Sequence, residues 1–389
     1  MLNGEGVKKS CLPSCDKEGL SGGETTPDLT AEQLLNNTDK TGKITMTEIN
    51  KEPTEIENPD LFFLEVAAEK MEDVKAMAIL GKHYMAIEPD EEKAVKYLKM
   101  AADEGHAEST FLLGIMYQSE SSKVPYDMKK SLELIHDAAA MGWPLAMAIL
   151  GRSYCNGRDG LQKDTETGKK WLKKSIGLDC KEGMYFLGMQ YWFHEDNKDL
   201  ARKYWKRAAN ENHIDSMRIL GDSYRDEAKL LPKNKAAEPN QYAEYYYKRG
   251  AELGNADCQA KLAWMYELVY NKWNEASKYF NMAVETGDEP SALFGLALHY
   301  YLGLGTEDID KKKAFTLCSK AVKSGHEPAK SLLGKMYYSG EGTEANLEKG
   351  LALLSQRAKF GETLARTFLT DIAEKNNDQK AREILSSLA

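Results

Sequence analysis

No stretch of the 389 residues approaches 18 consecutive apolar positions, so no transmembrane helix is expected. The opening residues, "MLNGEGVKKSCLPSC", lack an apolar core, and no arginine precedes Arg152. Neither a secretory signal nor an Arg-rich presequence fits that pattern. Net positive charge is missing as well. The formal charge is −9 and the pI about 5.5, which gives no overall cationic field for nucleic acid or an anionic membrane. Cysteine is sparse, and Cys155, Cys180, Cys258 and Cys318 stand singly, without disulfide-framework or metal-ligand spacing. A reducing compartment follows, read as the cytoplasm. The sequence has no HExxH, no glycine-rich phosphate loop behind a strand, and no Ser/His/Asp or Cys/His set that spacing could assemble. Neither catalysis nor a cofactor or metal is expected.

Residues 1–57 also lack Phe, Trp and Tyr entirely. Residues 1–58 hold six Lys against eleven Asp/Glu, a net of −5. Such a segment cannot bury enough apolar surface to offset its ordering entropy, which predicts a disordered acidic arm over 1–57. Within it, "NTDKTGKITMTE" (Asn37–Glu48) matches the twelve-residue calcium-loop spacing, but its first position is Asn and Pro53 cuts any exit helix. It is read as a chance match, and Cys11 and Cys15 as incidental thiols. Order begins at "NPDLFFLEVAAEK", where Asn58, Pro59 and Asp60 suit a helix start.

What the chain does have is a template, written eight times. The leucines are Leu80, Leu113, Leu150, Leu187, Leu220, Leu262, Leu296 and Leu333, each followed by Gly or Ala. Four residues after each leucine stands a tyrosine, from Tyr84 to Tyr337, and four before it a small residue, from Ala76 to Ala329. The Gly/Ala markers recur at spacings of 33, 37, 37, 33, 42, 34 and 37, the range of a helix-pair solenoid. Small, Leu and Tyr at i, i+4 and i+8 share one helical face. A mid-helix glycine costs roughly 1 kcal/mol against alanine, a cost that fits a second helix crossing at backbone distance. That second helix has its own small residue, from Ala94 to Gly350, with two larger side chains three and four positions later. A degenerate ninth unit near Leu364 and Phe368 suits a cap, which a solenoid requires.

Segments such as "LLGKMYYSGEGTEANLEKGLALL" and "ALFGLALHYYLGLGTEDIDKKKAFTLCSKAVKSG" make the chain similar to the Sel-1-like repeat family, α/α relatives of the tetratricopeptide repeat. The resemblance implies an all-α, right-handed α/α superhelical solenoid of about eight helix-pair repeats plus terminal caps. The repeats are expected over 58–361 and capping helices over 362–389. It further implies a non-enzymatic adaptor, with the first helices lining a concave surface.

With each leucine at 0°, positions −2, +2 and +5 fall opposite the packed face. Read out there, the fourth unit offers Tyr185, Met189 and Trp192; the fifth, Arg218 and Arg225 around Asp222; the sixth, Trp264; the seventh, Phe294 and Tyr301. Aromatics flanked by arginines are the composition of peptide-binding hot spots. The expectation is a protein or peptide partner held on these residues, with no nucleic acid and no membrane insertion. The same side chains could instead be consumed by packing between first helices, since a helix apolar all round is usually interior. A second reading makes the acidic arm the active element and the repeat array its docking platform.

Overall fold

The computed structural model describes residues 59–118, 124–305 and 308–388. The expected arm, the Asn37–Glu48 stretch and the Cys11/Cys15 pair lie outside the described residues. Among the described residues there are nineteen helices and no strand. A single helix, α1 (Pro59–Lys70), comes first. The pairs then run α2 (Val74–Ala86) with α3 (Glu91–Asp103), α4 (Ala107–Met116) with α5 (Met128–Ala140), α6 (Pro144–Asn156) with α7 (Thr165–Ile176), and α8 (Lys181–Phe193) with α9 (Lys198–Asn210). They continue as α10 (Ile214–Leu230) with α11 (Ala237–Glu252), α12 (Ala256–Leu268) with α13 (Trp273–Gly287), α14 (Pro290–Leu302) with α15 (Lys311–Lys323), and α16 (Ala329–Ser339) with α17 (Leu347–Lys359). Last come α18 (Thr363–Lys375) and α19 (Gln379–Ser386). This is the helix-pair solenoid that the repeated template implies.

The chain divides into two compact units at Leu80/Gly81. In the first, Asp73 Oδ1 accepts from the backbone N–H groups of Lys75 (2.8 Å) and Ala76 (3.2 Å) and so caps the start of α2. The second unit is a linear stack in which each helix packs on its chain neighbours.

The small residues mark where helices of a pair touch. A Cβ placed on Gly81 would lie 2.5 Å from Leu98 Cδ2, and one on Gly151 would lie 2.9 Å from the carbonyl oxygen of Gly168. At Gly188 and Gly221 the added atom would overlap the indole of Trp205 and the ring of Tyr247, both fully buried. The two glycines therefore make room for an aromatic side chain on the partner helix.

Except for Tyr224, which lies within the longer α10, the template tyrosine forms the elbow of its pair. Its carbonyl accepts from the backbone N–H that opens the second helix: Asp127 to Tyr117 (3.0 Å), Asp164 to Tyr154 (2.8 Å), Asp310 to Tyr300 (2.9 Å) and Asn346 to Tyr337 (2.7 Å). Most of those opening residues then cap the helix, their side chains accepting from the N–H three positions on. The tyrosine ring stacks on an aromatic of the second helix in several pairs, as Tyr191 on Tyr204 (5.7 Å, 8°) and Tyr224 on Tyr246 (6.1 Å, 3°). Elsewhere its hydroxyl accepts from a lysine of that helix, Lys130 at 2.7 Å and Lys349 at 2.8 Å. Backbone, ring and hydroxyl all hold the same corner.

Histidine supplies two of the first-helix caps. Nδ1 of His106 and of His213 accepts from the N–H of Ser109 (3.3 Å) and Ser216 (3.1 Å). Among the described residues no helix is long and apolar enough to cross a membrane.

Candidate functional site

The residues at −2, +2 and +5 fall into two aromatic patches with a charged network between them. In the first patch, on α8, Tyr185, Met189 and Trp192 are half-buried. The Trp192 ring lies 5.3 Å from Trp205, whose indole N–H donates to the Tyr185 carbonyl at 3.2 Å. Tyr185 itself lies 5.0 Å from the His213 ring.

The second patch spans α12 and α14. Trp264 is half-buried, meets Phe280 edge-on at 5.0 Å and lies 6.2 Å from Phe294. Phe294 and Tyr301 are buried, 8% and 5% exposed. The Tyr301 hydroxyl donates to Glu341, while Lys311 Nζ sits 3.2 Å from its ring centre and donates to its carbonyl at 2.8 Å. Tyr301 thus spends its polar groups inside the protein, and Phe294 keeps only an edge outside.

Between the patches, Arg218 and Arg225 of α10 are held by carboxylates. Arg218 approaches Asp215 (3.5 Å), Asp222 (3.5 Å) and Asp257 (3.8 Å); Arg225 approaches Asp222 (3.4 Å) and Asp226 (3.6 Å). Lys261 of α12 joins through Asp222 (3.4 Å) and Asp257 (3.5 Å), and the Tyr247 hydroxyl donates to Asp222 at 2.7 Å. Burial, with the Asp222 charge added to it, drives the Tyr247 phenol well above its ordinary pKa. The arginines therefore present no bare charge, although Arg218, Arg225 and Asp222 all keep part of their surface in solvent.

Sequence reading missed one constellation outright. His299 of α14 is fully buried, with Nδ1 2.6 Å from the Ser277 hydroxyl of α13 and Nε2 3.2 Å from Glu267 Oε2 of α12. Ser277 is fully buried and Glu267 only 8% exposed. A hydroxyl, an imidazole and a carboxylate in line are the components of an acyl-transfer relay. The hydroxyl is sealed, however. The backbone of Gly305 lies on it, so that a Cβ there would overlap Ser277 Oγ and come 2.5 Å from the Trp273 carbonyl. The three residues act as a polar tie between three helices, each group meeting the partner that burial demands. One signal pointed at the tie. The position three after the template leucine is Met116, Met265 and Met336 in some pairs, but polar and buried as Ser153, Gln190, Ser223 and His299 in others.

Two members of the tie, Glu267 and Ser277, lie in a stretch that comparison also sets apart, while His299 lies in a matched repeat. Seven segments match the Sel1 repeat: 74–106, 107–143, 144–179, 181–213, 215–255, 290–326 and 328–358. The pair α12–α13, between 255 and 290, is not among them. Among curated proteins, the chain is 26% identical over 267 residues to a chitin synthase regulator, SKT5, of Saccharomyces cerevisiae, covering 67% of this chain and 33% of that one. It is 24% identical over 345 residues to chitin synthase regulatory factor 3 of Schizosaccharomyces pombe, covering 84% and 35%. An uncharacterized protein of Neisseria meningitidis, NMB1327, is 25% identical over 268 residues, covering 66% and 52%. The matched part of the chain thus spans a third to a half of the length of these relatives. Two solved structures share the fold. One is c5321, a protective antigen of uropathogenic Escherichia coli with an SLR fold (TM-score 0.62, 22% identity, 85% of this chain and 70% of that one). The other is a Sel1 repeat protein from Oxalobacter formigenes (TM-score 0.52, 21% identity, 86% and 98%).

Proposed function

The chain belongs to the Sel1 repeat family, and from that premise we propose that it is a non-catalytic, cytoplasmic adaptor that holds a partner polypeptide on its first-helix face. Sel1 repeat proteins generally act in protein–protein interactions, and the curated yeast relatives carry names of regulators. The observation that carries the reading is the placement of Trp192 and Trp264. Both indoles are half-buried, each held against a fully buried aromatic, Trp205 and Phe280, so that part of each ring is fixed and part stays in solvent. A rigid, partly desolvated aromatic is what a hot spot needs, because little side-chain entropy remains to be lost on binding. Tyr185 and Met189 extend the first anchor, Phe294 and Tyr301 wall the second, and the Arg218/Arg225/Asp222 network between them offers both signs of charge. First helices of neighbouring pairs also touch one another, α6 with α8 and α12 with α14, which supports their lying on the inner side. The described cysteines are all free thiols, in keeping with a reducing compartment.

The test is affinity purification with mass spectrometry on the full chain. A partner recovered by wild type should be lost from Trp192→Ala/Trp264→Ala and retained by Lys312→Glu/Lys323→Glu, whose changes lie on exposed positions of α15. Equal recovery by all three proteins would refute the assignment of the anchors.

A further inference from the structure

The outer helices of two adjacent pairs carry the same unusual string. In α7 it reads Lys169-Lys170-Trp171-Leu172-Lys173-Lys174, and in α9 Arg202-Lys203-Tyr204-Trp205-Lys206-Arg207. The register relative to the small residue of each helix, Gly168 and Ala201, is identical. The apolar fourth member, Leu172 or Trp205, is fully buried. That placement turns the second, fifth and sixth members outward in both helices. Lys170, Lys173, Lys174, Lys203, Lys206 and Arg207 are all exposed. None of the six makes an ion pair with a carboxylate among the described residues, whereas the first member of each string does: Lys169 with Glu195, and Arg202 with Glu227 at 2.6 Å. Six unpaired cations on one face stand out in a chain whose formal charge is −9.

The cations lie beside aromatic surface. Lys174 Nζ sits 4.4 Å from the Trp171 ring centre. Trp171 and the lysines around it line an open depression of about 540 Å³ together with Thr167. Lys206 lies within 5.6 Å of Tyr224 and 5.8 Å of Tyr242, leading toward α11.

We infer that this face of α7 and α9 is a second binding surface, and that its ligand is a short carboxylate-rich polypeptide segment of a partner protein. The boundaries of the patch favour that occupant. At the same register on the preceding outer helix, α5, the lysines are replaced by Glu133 and Asp137. On the following one, α11, Tyr245 takes the place of Lys170 and Arg249 is engaged with the Ala209 carbonyl (2.8 Å), which leaves Lys248 as a single exposed cation in place of three. The full set of three outward cations is therefore confined to two helices, α7 and α9. At about 10 Å per helix it spans roughly 20–30 Å, the length of about six to nine extended residues. A membrane or a nucleic-acid duplex laid on the same face would meet the flanking carboxylates and the negative net charge over a Debye length of about 8–10 Å. A short acidic segment samples the local charge alone. Trp171 and the exposed Tyr242 beside the strip would accept its apolar side chains.

The experiment measures fluorescence anisotropy of a labelled twelve-residue polyglutamate against the full chain, at 50 and 300 mM NaCl. In parallel, vesicles of 30% phosphatidylserine in phosphatidylcholine and a twenty-nucleotide oligothymidylate are offered. Wild type is expected to bind the peptide more tightly than either alternative, with affinity falling at least five-fold at the higher salt. Lys170→Glu/Lys203→Glu should weaken binding at least ten-fold, and the neutralising Lys174→Gln/Arg207→Gln at least three-fold. Lys312→Glu/Lys323→Glu, an equal charge change on α15, should weaken it less than two-fold. Absence of peptide binding by wild type, equal losses from the α7/α9 and α15 charge reversals, or a preference for vesicles or oligonucleotide would each overturn the inference. All substituted positions are exposed, and matching melting curves check that the variants fold.

Discussion

The pairs α6–α7 and α12–α13 are built on one template and have parted in opposite directions. In α6–α7 the template is strict. Gly151 faces Gly168 at backbone distance, and Asp164 caps the second helix. In α12–α13 both small residues are alanine, Ala263 and Ala276, and the residue opening the second helix is Lys272, with no side-chain cap. The strict pair carries its distinguishing residues on the outer surface, as lysines with no ion-pair partner among the described residues. The loose pair carries them inside, as Glu267, Ser277 and the half-buried Trp264, and its departures coincide with the stretch that does not match the repeat. A position that packing leaves open can vary without structural cost. A position within the template varies only where a new interaction, here the tie to His299, replaces the lost one.

The largest effect expected from this contrast is at the glycines. Gly151→Val, in the strict pair, drives a branched side chain into the buried Leu172 and the Gly168 carbonyl and should lower stability by about 3 kcal/mol. Ala263→Val, in the loose pair, should cost about 1 kcal/mol, at the low end for two added core methyls. Urea denaturation monitored by helical circular dichroism reads both, and equal losses would remove the distinction between the pairs.

Next in size is the tie. His299→Leu strands Glu267 and the Ser277 hydroxyl in the interior and should cost about 2–3 kcal/mol; Ser277→Ala should cost about 1 kcal/mol. A smaller loss for His299→Leu than for Ser277→Ala in the same assay would contradict the tie.

Capping comes third. Asp127→Ala, which removes an acceptor from the Lys130 N–H at 3.0 Å, should cost about 1 kcal/mol. Lys272→Ala removes no cap and should change the melting temperature by much less. The comparison fails if the two shifts match.

The smallest effect is alkaline. Burial pushes the Cys155 thiol of α6 up to about 11 and the Cys258 thiol of α12 up to about 12, from an ordinary 9. A raised folded pKa favours the neutral thiol in the native state. Its contribution is therefore complete below pH 9 and is lost as the pH rises through 11 to 12. Native protein at pH 8 should react with a disulfide-exchange reagent far more slowly than urea-unfolded protein, and Cys155 should be the first of the two to label as the pH is raised. Labelling of Cys258 before Cys155 would reverse that ordering.

Much of the fold could be read from the chain because a helical pair repeats its constraints locally. Leu150, Gly151 and Tyr154 lie within one helix, and their spacing states which face is buried. The positions proposed as anchors follow in the same way, since Trp192 and Trp264 are picked out by a helical angle. Their surroundings were not. The network around Arg218 also draws in Asp257 and Lys261 from the next pair, and the tie joins residues 267, 277 and 299 from three helices. No intrahelical period links those positions. The basic face was hidden for another reason. Whole-chain charge averages Lys170, Lys203 and their neighbours against an acidic remainder, while binding responds to charge within a Debye length. The template tyrosine was seen as a packing residue, but its carbonyl and hydroxyl roles depend on the turn that follows it.

The tie among Glu267, Ser277 and His299 bears on how the stack comes apart. In a linear array each helix pair is held by its neighbours, and unfolding can advance from either end one pair at a time. Glu267 and Ser277 belong to one pair and His299 to the next, so the tie strengthens a single joint in that sequence. Unravelling from the C-terminal end would pause before releasing α14, and unravelling from the opposite end would pause at α12. The joint thus acts as a ratchet stop, keeping the Trp264 patch assembled while the ends of the array open and close around it.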